Sequence, residues 1–247
     1  MSEPRDPRVL TVCHLGATSY REGLALQEAM VRARAAGETG DWLLCPDHPP
    51  VLTVGRGGRP DSLIADRAAL ARMGIEVFEV ARGGDVTWHG PGQLVGYMIF
   101  DLERRGRDLH RFLRELEAAL VATLEAYDLA GHTVAGRTGV WIGDDKIASI
   151  GIAVRRWVSY HGFALNVAPD LGFFDLIHPC GLRGIQMTSL ARLRGADGGD
   201  LGLARERATA AVAAGFGYHE VRWATPAEAR AAAGTGTLRP LVGIQAA

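Results

Sequence analysis

Short apolar runs and longer amphipathic runs succeed one another along the chain without a regular alternation. Residues 8–14 form an apolar stretch that reads as a strand. Ser19 and Glu22 make the S-x-x-E pattern of a capping box, ahead of a helix carrying Leu24, Leu26, Ala29 and Met30 and stopping near Gly37. DWLLC (41–45) and VLTV (51–54) read as two short strands joined through the turn-forming HPP. A short helix is expected over 66–73 before Gly74, then an alternating strand, IEVFEV (75–80), a glycine-rich loop (82–93) and the apolar strand LVGYMIF (94–100).

Asp108 stands where a helix N-cap would, before Leu109, Phe112, Leu113, Leu116, Leu120 and Leu124 on one helical face. VWI (140–142), KIASIGIAV (146–154) and FALNV (163–167) read as successive strands, the first two joined by an Asp-Asp hairpin turn. FFDLI (173–177) predicts one helical turn. Beyond about residue 202 come an alanine-rich helix, a short strand near 218–223, and a helix capped at Thr225 with Pro226 in its first position. The stretch 194–200 is the one loose segment. The pattern predicts an α+β fold with a central mixed or antiparallel sheet flanked by helices. It reads as a single domain over 1–247, with a core over about 8–223 and a tail from about 224.

Composition narrows the class. The 247 residues are 47% hydrophobic and 22% charged, with a formal net charge of -1. That balance gives no general affinity for nucleic acid or an anionic membrane. No apolar run approaches the roughly 18 residues of a membrane span, and the polar start, Met1 to Arg8, lacks a signal peptide's apolar core. A cytoplasmic protein is expected, with a monomer as the working assumption. Three widely spaced cysteines, Cys13, Cys45 and Cys180, point away from a disulfide framework or a cysteine zinc site. Cys13 and Cys45 end apolar strands and read as core. Cys180 lies between Pro179 and Gly181, on a turn that either presents a nucleophile or simply accepts a small residue.

Lys146 is the chain's single lysine among 27 basic residues. At the start of a strand it is either a solvated surface group or a group able to exchange protons near neutral pH, which arginine is not. The loop RGGDVTWHGPGQ (82–93) exposes backbone amides and matches neither a P-loop nor a dinucleotide fingerprint. Within it, His89 is a second base, an orienting group for a thioester, or a histidine bonded inside the loop. His48 and His161 read as structural or solvent-facing. The histidine spacing supports no zinc enzyme, and no metal is expected.

Four segments in order carry a resemblance: HPPVLTVGRGG (48–58), RGGDVTWHGPGQ (82–93), KIASIGIAVRRWVSYHGFALNV (146–167) and PCGLRGIQMTSL (179–190). Together they resemble the lipoyl(octanoyl) transferases of the biotin/lipoate protein ligase superfamily. The resemblance implies an acyltransferase moving an octanoyl group from octanoyl-acyl carrier protein to a lysine of lipoyl domains. Those acceptors belong to 2-oxoacid dehydrogenase complexes and the glycine cleavage H protein. It assigns the acyl-thioester nucleophile to Cys180 and its activation to Lys146. It assigns acyl binding to Arg82, Gly83, Gly84, Asp85, Val86, Thr87, Trp88 and His89, to Ser149, Ile150 and Gly151, and to Gly162, Phe163 and Ala164. Trp88 stands where tyrosine is the commoner residue. No cofactor is implied, since the thioester carries its own activation. The alternatives are an ATP-dependent lipoate or biotin ligase of the same fold, and a non-catalytic module that binds the same domains.

Overall fold

The computed structural model describes residues 9–59, 61–178 and 185–234. Its strands fall into two sheets. The larger has eight strands: β1 (Val9–Ala17), β2 (Asp41–Asp47), β6 (Gln93–Ile99), β7 (His132–Val134), β8 (Arg137–Ile142), β9 (Asp145–Arg155), β10 (Val158–Asn166) and β11 (Glu220–Ala224). They run in the order β11-β1-β2-β6-β10-β9-β8-β7. The first three are mutually parallel and the rest pair antiparallel, so the sheet is mixed. A smaller sheet, β4-β3-β5, is built from β3 (Val51–Val54), β4 (Glu76–Glu79) and β5 (Val86–His89).

The helix signals behave as their chemistry requires. α1 (Tyr20–Ala35) begins in a complete Ser19/Glu22 capping box, and Gly37 follows it at φ +75°. The Asp66 side chain caps α2 (Arg67–Arg72) and the Asp108 side chain caps α3 (Leu109–Glu125). Leu116, Leu120 and Leu124 of α3 join α5 (Leu201–Gly215) on one face of the large sheet, burying a core with Leu10, Leu43, Met98 and Leu165. Truncating such a leucine to alanine costs about 2–5 kcal/mol. α1 covers the other face with α6 (Pro226–Ala232), whose Ala229 is buried among Leu26, Met30 and Trp42.

Three expectations change. The 82–93 segment is not all loop: Val86–His89 forms β5, because Val86 and Trp88 bury an alternating face against Leu52 and Leu70. The stretch 194–200 is ordered, since α4 (Leu190–Arg194) runs into a 3-10 turn at Gly195–Gly198. The HPP turn joins strands of different sheets rather than neighbours in one. Among the described residues, no helix is long and apolar enough to cross a membrane.

Candidate active site

Lys146 is the second residue of β9, yet it is only 1% exposed. It leaves the hairpin surface by crossing β8. Its Nζ donates to the Thr138 carbonyl at 3.2 Å and lies 5.0 Å from the centre of the Trp141 ring, a cation–π distance. Gly139 makes the crossing possible. A Cβ there would stand 2.7 Å from Lys146 Cε and 2.6 Å from the Ala148 carbonyl oxygen, and its φ of +132° is one that side chains avoid. The Gly139 amide donates to buried Glu117 of α3, which fixes this strand to the helix layer.

Cys180 lies outside the described residues, but both flanks of its segment are tied to the site. Before it, the His178 amide donates to the Ser62 carbonyl, and the Ser62 hydroxyl donates to Asp85 at 2.7 Å. After it, Lys146 N–H donates to the Gln186 carbonyl and Thr188 N–H donates back to the Lys146 carbonyl, each at 2.9 Å. Lys146 and Met187 thus form a parallel bridge.

The two glycine segments interlock. Amides of Gly55, Arg56 and Gly57 donate to the carbonyls of Asp85, Arg82 and Gly84. A Cβ on Gly55 would stand 2.4 Å from the Gly84 oxygen, so the approach requires glycine. Arg82 is spent on the same joint. Its Nη2 donates to the Thr53 carbonyl (2.6 Å) and hydroxyl (2.8 Å), and its Nη1 to the Gly83 carbonyl (3.0 Å). The Arg82 stem occupies the space beside Gly151, where a Cβ would meet Cδ at 2.9 Å.

His89 is held by a chain of bonds leading back to the lysine. Its Nδ1 donates to Gln93 Oε1 at 2.8 Å, Gln93 Nε2 donates to Asn166 Oδ1, and Asn166 Nδ2 donates to the Thr188 carbonyl. Burial, then the neighbouring His48, lowers the His89 pKa to about 3. It is neutral at pH 7, with Nδ1 held by Gln93 and Nε2 left as the acceptor nitrogen. His48 is neutral by the same cause and bridges the Thr18 carbonyl to the Tyr97 hydroxyl.

These groups surround two adjoining spaces. The inner one is a narrow slot of about 50 Å3 between the sheets. Arg82, Gly84, Asp85, Val86, Thr87, His89, Lys146, Ser149, Ile150, Gly151, Gly162, Phe163 and Ala164 line it, with Tyr20, Val95, Tyr97 and His161. The outer one, about 650 Å3, is lined by Gly83, Arg59, Arg137, Trp141 and Ile185 among others. Lys146, Gly84, Asp85, Ile150 and Gly151 border both. Of the residues singled out in the sequence, Trp88 lines neither. It is fully buried, stacked on Phe173 with ring centres 5.0 Å apart, in the core of the small sheet. Gly162 is small for packing, since a Cβ there would collide with the Gly96 carbonyl. Sequence reasoning missed Thr53, Thr138 and Gly139, whose partners lie across strands, and it missed Tyr20, Tyr97 and His161 as slot residues. His161 is not solvent-facing; it is buried. Among the described residues no cluster of histidine, cysteine or carboxylate side chains is arranged to hold a metal.

A mixed sheet whose lone buried lysine meets two interlocked glycine segments at the mouth of a slot defines a recognisable class. The chain belongs to the lipoyl protein ligase A/B catalytic domain family, whose model matches residues 19–214. It is 47% identical over 207 residues to an octanoyltransferase of Geobacter sulfurreducens, covering 84% of this chain and 83% of that protein. It is 52% identical over 178 residues to an octanoyltransferase of Citrifermentans bemidjiense, covering 72% of this chain and 83% of that one. The fold is similar to that of lipoate-protein ligase A bound with ATP (TM-score 0.72, 18% identity, 90% of this chain and 91% of that one). It is also similar to the bi-partite lipoate protein ligase of Thermoplasma acidophilum (TM-score 0.69, 16% identity, 90% and 89%).

Proposed function

We propose that this chain transfers an octanoyl group from octanoyl-acyl carrier protein to the lysine of a lipoyl domain, through a thioester on Cys180. The observation that carries the reading is the pairing of the Lys146 backbone with Gln186, six positions after Cys180 (186 minus 180), at the border between the slot and the outer cavity. The octanoyltransferase names of the relatives support the acyl group, and the lipoyl domain named with a lipoate protein ligase of the same fold supports the general class of acceptor.

Lys146 takes the Cys180 proton, and the thiolate attacks the thioester carbonyl. Backbone amides hold the oxyanion. The carrier thiolate leaves and recovers the proton from Lys146, so the first half ends with octanoyl-Cys180 and a neutral lysine. The acceptor amine then attacks that thioester, Lys146 accepts its proton, and an amide forms. Cys180 leaves as thiolate and takes the proton back. The acyl tail enters the slot lined by Thr87, Ser149, Ile150, Phe163 and Ala164, which opens beyond its present volume of about 50 Å3 to take the whole chain. The outer cavity admits the arm of the carrier and then that of the acceptor. The chain acts as one catalytic domain in the cytoplasm, with 2-oxoacid dehydrogenase lipoyl domains and the glycine cleavage H protein as acceptors.

Intact-protein mass spectrometry after mixing with octanoyl-carrier protein, without ATP, tests this. One octanoyl adduct is expected on the wild type and none on Cys180→Ala, with removal by hydroxylamine or by a lipoyl domain. No adduct without ATP, but transfer with it, would replace this reading by an ATP-dependent ligase.

A further inference from the structure

Among the buried residues of α3, Glu117 alone is charged, on the face that also carries Phe112, Leu116 and Leu120. A buried carboxylate destabilises the fold unless it is bonded. Its Oε1 accepts the Gly139 N–H at 3.0 Å. Arg114 Nη1 lies 2.8 Å from Oε2, an ion pair without hydrogen-bond alignment. The Gly139 N–H and the Thr138 C=O belong to one peptide group, and that carbonyl accepts from Lys146 Nζ at 3.2 Å. One rigid plane is therefore bonded to Glu117 on one side and to Lys146 on the other. Glycine at 139, with φ +132°, leaves that plane free to turn, so a group outside the strand has to hold it. Opposite, β9 carries one residue more than β8 between the Val140–Ala148 and Trp141–Lys146 pairs. A bulge of this kind re-aims a side chain.

We infer that Glu117 is a positioning residue for Lys146 and acts through the 138–139 peptide: its bond to the Gly139 N–H keeps the Thr138 carbonyl turned towards Nζ. This rests on the octanoyl-transfer reading, in which Lys146 exchanges a proton with Cys180, and adds to it the means by which that lysine keeps one orientation. Glu117 lines neither cavity and touches no reacting atom. A bond to a carboxylate is stronger than one to a neutral acceptor, and a peptide bonded at its N–H becomes a better acceptor at its oxygen. The lock on the plane and the hold on Nζ therefore reinforce each other. Without Glu117 the glycine lets the peptide turn, the carbonyl leaves Nζ, and the flexible lysine stem loses a fixed anchor. A displacement of about 1 Å at a reacting group costs up to about 100-fold in rate.

Single-turnover acylation of Cys180 by octanoyl-carrier protein, followed by mass spectrometry, tests this on Glu117→Leu, Glu117→Asp and Glu117→Gln. Glutamine keeps an acceptor at the same reach, whereas aspartate keeps the charge but draws it back by one methylene. At saturating donor the leucine and aspartate variants are expected to acylate roughly 10–100-fold more slowly, and glutamine to recover the rate to within about threefold of the wild type. The donor concentration that half-saturates the reaction should not move. An aspartate variant as fast as the glutamine one overturns the inference, and that comparison stands even where the leucine variant does not fold. Alkylation of Cys180 by iodoacetamide, mapped by mass spectrometry, separates positioning from support of the fold and needs no acyl donor. Glu117→Asp should slow it roughly tenfold beside the native lysine but change it less than about twofold in a Lys146→Ala background, because the effect passes through the lysine. An equal effect in both backgrounds, large or absent, overturns the inference. A wild type that forms no octanoyl adduct would instead overturn the transfer reading, while the alkylation comparison still decides whether Glu117 acts on Lys146.

Discussion

Two buried cations border the same slot and are held in opposite ways. Arg82 is fixed by its fork: three of its nitrogens donate to Thr53 and the Gly83 carbonyl, and its stem fills the space beside Gly151. Lys146 lies over the Trp141 ring with its Nζ 3.2 Å from the Thr138 carbonyl, and its backbone pairs with Gln186 and Thr188. The guanidinium is a permanent charge with rigid geometry, suited to locking two glycine segments together. The ammonium is a compact group on a flexible stem, suited to picking up a proton and returning it. The contrast teaches that two cations buried at one slot can be suited to different work by their chemistry, one to rigid bridging and one to proton exchange.

Exchanging the two roles is the sharpest way to break the comparison. Lys146→Arg keeps the charge but cannot give up its proton, and acylation of Cys180 should slow by about 10²–10⁴-fold. Single-turnover acylation followed by mass spectrometry reads this directly, and a rate near that of the wild type would remove Lys146 from proton transfer. Arg82→Ala should instead show itself in stability, with a loss of roughly 3 kcal/mol from charge-assisted bonds left unmade. Chemical denaturation measures it, and an unchanged midpoint would mean that the glycine segments hold without the clamp.

The smallest effect comes from the histidines around Arg82. His89 and His161 have folded pKa values lowered to about 3, below the value of about 6.5 expected in the unfolded chain. The unfolded state therefore binds more protons between those limits. Stability is fully present above about pH 6.5 and falls as the pH drops towards 3. Each histidine removes about 1 kcal/mol between pH 6.5 and 5.5. Denaturation midpoints at the two pH values would show it, and His89→Gln should lessen the slope. A flat profile would mean that these rings are hydrated and charged, contrary to their burial.

The sequence was most legible where a local rule decides the structure. The Ser19/Glu22 box, Asp108 and Pro226 marked helix starts because capping involves residues within four positions of one another. Resemblance to the family, rather than periodicity, named the slot residues, and the 82–89, 149–151 and 162–164 segments do converge apart from Trp88 and Gly83. What stayed hidden depends on register. β5 lay concealed in a glycine-rich run because its partner, β3, is more than thirty residues away. Gly139 matters only because β8 pairs with β9, and nothing local in Arg137-Thr-Gly-Val says so. Alternation shows that Trp88 and His89 point to opposite faces of a strand, but only the packing of Phe173 shows which face is the site. A buried Lys146 contradicts what its Asp-Asp turn would ordinarily mean for a side chain.

The order of the large sheet also bears on how the protein is made. β1 lies between β2 and β11, and Val9 pairs in parallel with Glu220, 211 positions later (220 minus 9). During synthesis β1 can join β2 soon after both leave the ribosome, while its other edge waits for nearly the whole chain to follow. Until β11 emerges, that nascent chain carries an open strand edge, the feature that invites pairing with a neighbouring polypeptide. The last strand among the described residues is therefore the one that seals the first, and a chain released before it would carry the site's residues on a sheet still open at that margin.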